Sequence, residues 1–259
     1  MVALSSAGYG PFAITKALTV EAPERVYAGI TVNGGTGDGI DINAGTNDVV
    51  TLRGLTVNNL GSTGNGVVFN TAGAVHVESC VINGFTNGAG IKITGTNITI
   101  ASILVKDTIA RNNDWGILQG VAAADGVLRI TMDHIRLDAN NIGLAMGAQS
   151  TLVTVTGVMR DSSVSGNTQT GISLTAGNET TFGSCALDLE SCLVTNNAAG
   201  INVQQNVGSA TMSISNTNIT DNATSGFSIG TGSTIFSLGD NTITGNGAST
   251  GTLTPLAAQ

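Results

Sequence analysis

Lys106-Asp107-Thr108-Ile109-Ala110-Arg111-Asn112-Asn113-Asp114-Trp115-Gly116-Ile117 is followed, one interval on, by Asp133-His134-Ile135-Arg136-Leu137-Asp138-Ala139-Asn140-Asn141-Ile142-Gly143-Leu144. Both stretches run charge, polar turn residue, short apolar alternation, asparagine, then glycine followed by an apolar residue. The closing Gly-apolar pair recurs at Gly39-Ile40, Gly66-Val67, Gly90-Ile91, Gly116-Ile117, Gly143-Leu144, Gly171-Ile172, Gly200-Ile201 and Gly226-Phe227, each a little over two dozen positions from the last. Each glycine opens a short alternating strand such as Ile91-Lys92-Ile93. Upstream of it, apolar-any-apolar triplets such as Val75-x-Val77, Ile103-x-Val105, Ile130-x-Met132 and Met212-x-Ile214 mark a second strand, because period-two alternation puts one side of the chain inside. Self-similarity at this period signals a solenoid.

The asparagines Asn113, Asn140, Asn167, Asn197, Asn222 and Asn246 follow the same beat. In stacked coils they form one column, about 4.8 Å from rung to rung, in which each amide serves its own turn and its neighbour. Such a ladder is a structural device before it is a binding site. The expectation is an all-β, single-domain right-handed parallel β-helix of about nine coils spanning residues 1–259. A leucine-rich repeat shares the period, and Leu52-x-x-Leu55-x-Val57 fits its opening, but later coils keep neither the leucines nor a run of helix formers.

Composition agrees. Of 259 residues 41% are hydrophobic and 10% charged, 36 are glycine, and aromatics make up 3%. That suits many short strands joined by tight turns and disfavours long helices. A net charge of −8 argues against a grip on nucleic-acid phosphates or anionic lipid. No apolar run reaches the length of a membrane span. Cys80, Cys185 and Cys192 are too few for a disulfide framework and read as small buried side chains.

The chain resembles the bacterial right-handed β-helix repeat proteins of the pectate-lyase-like superfamily over nearly its whole length. The likeness is carried by Gly8-Tyr9-Gly10-Pro11-Phe12-Ala13-Ile14-Thr15-Lys16-Ala17-Leu18-Thr19-Val20, Asp48-Val49-Val50-Thr51-Leu52-Arg53-Gly54-Leu55, Lys106-Asp107-Thr108 with Arg111-Asn112-Asn113, and Asn241-Thr242-Ile243-Thr244-Gly245-Asn246. Such proteins often plug the first coil with an amphipathic helix. Residues 1–10 show none, so the sequence is read as starting inside a coil, with end-to-end or side-by-side self-association as the consequence of an open edge.

Two columns carry charge. Arg53, Glu78, Lys106, Asp133, Arg160 and Glu190 alternate in sign, which favours the correct register over a one-coil slip. Beside them Asp107, His134 and Asp161 fall at the interval of the opening repeat, with Arg111 and Asp138 four positions beyond the first two. A histidine between two carboxylates could serve as acid and base, with Arg111 as an anion clamp and Asp138 as a ligand contact. The plainer reading is that Asp107, His134 and Asp161 cap a bend on a solvated face.

The resemblance implies the fold more than an activity. Related polygalacturonases carry an Asn-Thr-Asp, Asp-Asp, Gly-His-Gly and Arg-Ile-Lys series, and none of these occurs here; aromatic platforms for a long glycan are also scarce. His76 reads as a surface residue of a strand. Gly34-Gly35-Thr36-Gly37-Asp38-Gly39-Ile40-Asp41-Ile42 approaches a calcium-binding nonapeptide but departs at Gly39, and Thr195, Thr220 and Thr244 form a column that Arg111 and Asp138 interrupt. The expectation is therefore a non-catalytic scaffold or binding module, extracellular or at the cell surface, with carbohydrate as the ligand class and no cofactor or metal. A polysaccharide lyase or glycoside hydrolase acting on an acidic glycan is the competing reading.

Overall fold

The three-strand logic of one coil follows from its side chains. In the computed structural model, which describes residues 1–94, 100–121, 125–148, 152–177 and 183–257, Ile100–Lys106 forms the first face of a coil. Asp107 turns the chain, Ile109–Arg111 forms a short second face, the Asn112-Asn113 bend follows, and Trp115–Val121 forms the third face. Asp125–Asp133 then returns to the first face, paired in parallel with Ile100–Lys106. Repetition yields three parallel sheets of ten, nine and ten strands, with no helix among the described residues, and the leucine-rich alternative falls away. The described residues hold no helix long and apolar enough to cross a membrane.

Register is as the Gly-apolar pairs require: Ile40, Val67, Ile91, Ile117, Leu144, Ile172, Ile201 and Phe227 are successive partners on the third face. On the first face Leu52, Val77, Val105, Met132, Met159, Leu189 and Ile214 stack in the same way and are all buried. These columns fuse into one core from Ile14 to Ile235. Each large apolar side chain taken from water contributes about 1.5–3 kcal/mol, and a slip by one residue would turn every one of them outward.

Two core positions break the pattern. Gly157 stands in the apolar column between Ile130 and Leu187, and its missing side chain leaves room for Met146 Cε, which a Cβ would meet at 2.9 Å. Gln119 occupies an inward place between Ile93 and Met146 and is 1% exposed. Its amide is satisfied by one residue: Nε2 donates to the Gly147 carbonyl at 2.9 Å and Oε1 accepts from the Gly147 N–H at 2.8 Å. Without those bonds a buried amide would cost several kcal/mol, on the order of 2–7 kcal/mol.

The asparagine ladder is present and buried from Asn113 to Asn222. Asn167 shows how each rung is used. Its Oδ1 accepts from the Asn140 N–H at 2.9 Å, and its Nδ2 donates to the Leu137 carbonyl at 3.1 Å and to Asn197 Oδ1 at 2.7 Å. The ladder therefore satisfies bend amides that no strand can reach. It also explains the repeated glycines. A Cβ on Gly171 would lie 2.7 Å from the Gly200 carbonyl oxygen and 2.9 Å from Asn197 Nδ2, so the coils approach too closely there for any side chain.

Both bends use left-handed backbone. Gly54, Ser79, Asp107, His134, Asp161, Ser191 and Asn216 turn the first corner, all with positive φ. Gly84, Asn112, Ala139, Gly166, Asn196, Asp221 and Gly245 turn the second. Asn, Asp and His reach this region more readily than other side chains, which accounts for the polar bias at both columns. Inside the first corner, Thr108 Oγ1, Ser162 Oγ, Thr217 Oγ1 and Asn241 Oδ1 each accept a backbone N–H from the coil before, a second row of such bonds that is interrupted at Ile135 and Cys192.

Candidate functional site

The first corner and the strip of second face beside it form an open groove of about 660 Å³. Four rungs line it, each with a corner residue and the first outward residue of the second face, and the first three also with the residue inside the corner. The corner column supplies His134, Asp161, Ser191 and Asn216, and the outward column supplies Arg136, Ser163, Leu193 and Asn218. At the rung spacing of a sheet its floor runs about 14 Å along the solenoid axis. Ile135 and Cys192 form the floor, and Leu193, 39% exposed, adds an apolar step among amides and hydroxyls.

Of the residues singled out from sequence, His134 and Asp161 line this groove. Asp107 sits one rung below, outside it, and its N–H donates to the Asp133 carbonyl at 3.0 Å as part of the corner. The histidine's nearest carboxylate is Asp133, the residue before it, with Nδ1 2.9 Å from Oδ1. Arg111 and Asp138 are register partners at the far edge of the second face. Asp138, however, pairs with Arg136 at 2.8 Å and accepts from Ser165 Oγ at 2.8 Å. Arg136 had no distinguishing signal in the sequence, because its place in the groove follows from a corner two residues earlier.

Asp133 is the electrostatic hub. Its side chain is 7% exposed and receives Arg160 Nε at 3.1 Å, Lys106 Nζ at 3.6 Å and His134 Nδ1 at 2.9 Å. The Arg160 hydrogen bond, with His134 adding to it, holds the Asp133 carboxyl below its ordinary 3.8 against the opposing effect of burial. The sign-alternating column is in register throughout and extends one rung further, to Glu21. Its ion pairs join Arg53 to Glu78 at 2.8 Å and to Glu21 at 3.9 Å, then Lys106 and Arg160 to Asp133.

Asp133, His134 and Asp161 bring donor atoms within 4.8 Å of one another, a spacing a cation could bridge. Arg160 and Lys106 already neutralise Asp133, so a dication would displace them or meet their charge. The arrangement favours hydrogen bonding over metal binding. In the Gly34 to Ile42 stretch, Asp38 Oδ1 is committed to the Asn65 N–H at 2.6 Å and to Asn65 Nδ2 at 2.8 Å. Burial, then the nearby Asp38, push the Asp41 carboxyl above its ordinary range. The cysteines are free and buried, and burial raises Cys80 and Cys192 to about 11 and Cys185 to about 12, so none is a ready nucleophile.

No protein-family model and no curated protein sequence matches the chain. Among solved structures the Dettilon tailspike protein is similar at 13% sequence identity with a TM-score of 0.39, over 93% of this chain and 61% of that one. The chain therefore spans less than two thirds of that protein's length.

Proposed function

We propose that this chain is a non-catalytic β-solenoid binding module that takes a carbohydrate along the His134 to Asn218 groove, outside the cell or on its surface. The observation that carries this reading is the groove's repetition. Successive rungs present His134 and Arg136, Asp161 and Ser163, Ser191 and Leu193, then Asn216 and Asn218 at even steps. Ionisable groups on the first two rungs, then hydroxyl, apolar and amide groups on the next two, at even rung spacing, suit an extended, hydroxyl-rich chain, whose groups recur along its length. The resemblance to pectate-lyase-like β-helix proteins is part of the same reading, supported by the coil period and the asparagine ladder.

Catalysis on an acidic glycan is the competing reading, and the geometry supports it less. General acid–base work needs a group poised at the reacting atom. His134 turns its Nδ1 to Asp133, Asp107 lies outside the groove, and Arg111 faces a different edge of the coil. The test is a titration of the intact protein with neutral and charged oligosaccharides, read by amide chemical shifts. Shifts confined to the rungs of residues 134–136, 161–163, 191–193 and 216–218 are expected. Turnover of a polyuronide by the purified protein, lost on His134→Ala, would replace the binding reading with the enzymatic one.

A further inference from the structure

Charge along the groove is uneven. Arg136, the cation in its lining, is held by Asp138 Oδ2 at 2.8 Å. Arg160 and Lys106 are both drawn to Asp133, as is His134. Each of these cations thus already has a carboxylate partner. Asp161 is different. It is exposed on the groove's lip, and among the described residues its carboxylate makes no hydrogen bond and no ion pair, although it lies within 4.8 Å of His134 and Asp133 and its charge is felt by Arg160. Around it Asp107, Asp133, Asp138, Asp161 and Glu190 stand against Lys106, Arg111, Arg136 and Arg160, with His134 in the lining, and the protein as a whole carries −8. One rung beyond Ser191, Asn216 Nδ2 donates to Ser191 Oγ at 3.0 Å, which leaves the Asn216 carbonyl oxygen as an acceptor.

A groove with a spare carboxylate, spare acceptors and spoken-for cations repels anions and rewards a cationic donor. Resting on the saccharide reading above, we infer that the ligand is an amine-bearing saccharide, with Asp161 accepting hydrogen bonds from its protonated amine and the neighbouring rungs holding its hydroxyls. A polyuronide, which would bring like charge to Asp161, is expected to bind more weakly.

Isothermal titration of the intact chain at low salt and mildly acid pH would use a glucosamine tetramer, its fully N-acetylated form and a galacturonate tetramer. A charge-assisted hydrogen bond gives the amine form about tenfold tighter binding than the acetylated form. That advantage shrinks as salt is added, and the galacturonate binds more weakly. Asp161→Asn removes the charge at a left-handed corner position. Asparagine accepts that backbone, so the fold is retained and the two glucosamine ligands become equal. Equal affinities in the unaltered protein, or an amine advantage that survives Asp161→Asn, would overturn the inference while leaving saccharide binding standing. Binding of none of the three would remove both.

Discussion

Replacing Asn167 by alanine tests the ladder where it is fully enclosed. The substitution strands the Asn140 N–H, whose residue is 1% exposed, and removes the two bonds that Asn167 Nδ2 donates to Leu137 and Asn197. An orphaned buried donor costs about 1–3 kcal/mol and each lost bond about 0.5–1.5 kcal/mol, so roughly 2–6 kcal/mol is expected in total. The same change at Asn246 removes a comparable set, from Asn222 and to Ile219 and Thr244. The stranded donors there, the N–H and Nδ2 of Asn222, belong to a buried residue, but Asn246 is itself only half-buried, so water can enter the space it leaves and a smaller loss of about 1–2 kcal/mol is expected. Urea denaturation followed by far-ultraviolet circular dichroism compares the two variants, and hydrogen exchange gives the local check. The Asn140 amide should lose protection in Asn167→Ala, because nothing else in its bend accepts from it. Equal losses at the two sites, or an Asn140 amide that stays protected, would refute the claim that the side-chain column satisfies the bends.

Other substitutions probe the remaining devices. Ala139 holds left-handed backbone with no polar side chain to favour it, so Ala139→Asn should raise stability by about 0.5–1 kcal/mol, seen as a higher thermal midpoint. Gly171→Ala drives a methyl against the Gly200 carbonyl and should lower stability by about 1–3 kcal/mol or more by the same assay. Lys106→Glu sets a carboxylate beside Asp133 and should cost no more than about 1 kcal/mol, since the pair is exposed on the lysine side; an unchanged midpoint would show that the sign alternation does not guide stability. Asp133 has its folded-state carboxyl held below the ordinary 3.8, so its contribution is full above that value and disappears as pH falls through the depressed one. The stability gap between the unaltered protein and Asp133→Asn should therefore be present at neutral pH and close in acid.

The register of the solenoid was legible in the sequence because its two strongest marks, Gly before an apolar residue and the bend asparagine, are parts of one contact. Gly171 lacks a side chain so that Asn197 can pass beside it, and both repeat at the coil period. The charge column was legible for the same reason. Two core positions were not. Gly157 interrupts an apolar-any-apolar triplet, and its place in the core depends on Met146 reaching across from another face. Gln119 is polar, and nothing in the repeat marks the closure of its amide on Gly147 that lets it be buried. The candidate site was partly legible. His134 and Asp161 do share an edge, as their spacing implies, but a period says nothing about where a hollow begins. It begins above Asp107 and takes in Arg136 rather than Arg111, a choice set by the shape of the corner.

The left-handed first corner separates what the edge displays from what holds the molecule together. Its residues send no side chain inward, so Gly54, Ser79, Asp107, His134, Asp161, Ser191 and Asn216 differ in chemistry while their backbones turn alike. Any set of glycine, asparagine, aspartate, serine or histidine can be written along that line without disturbing the interior. Mutational drift, or a designer, can thus change what that edge displays one rung at a time.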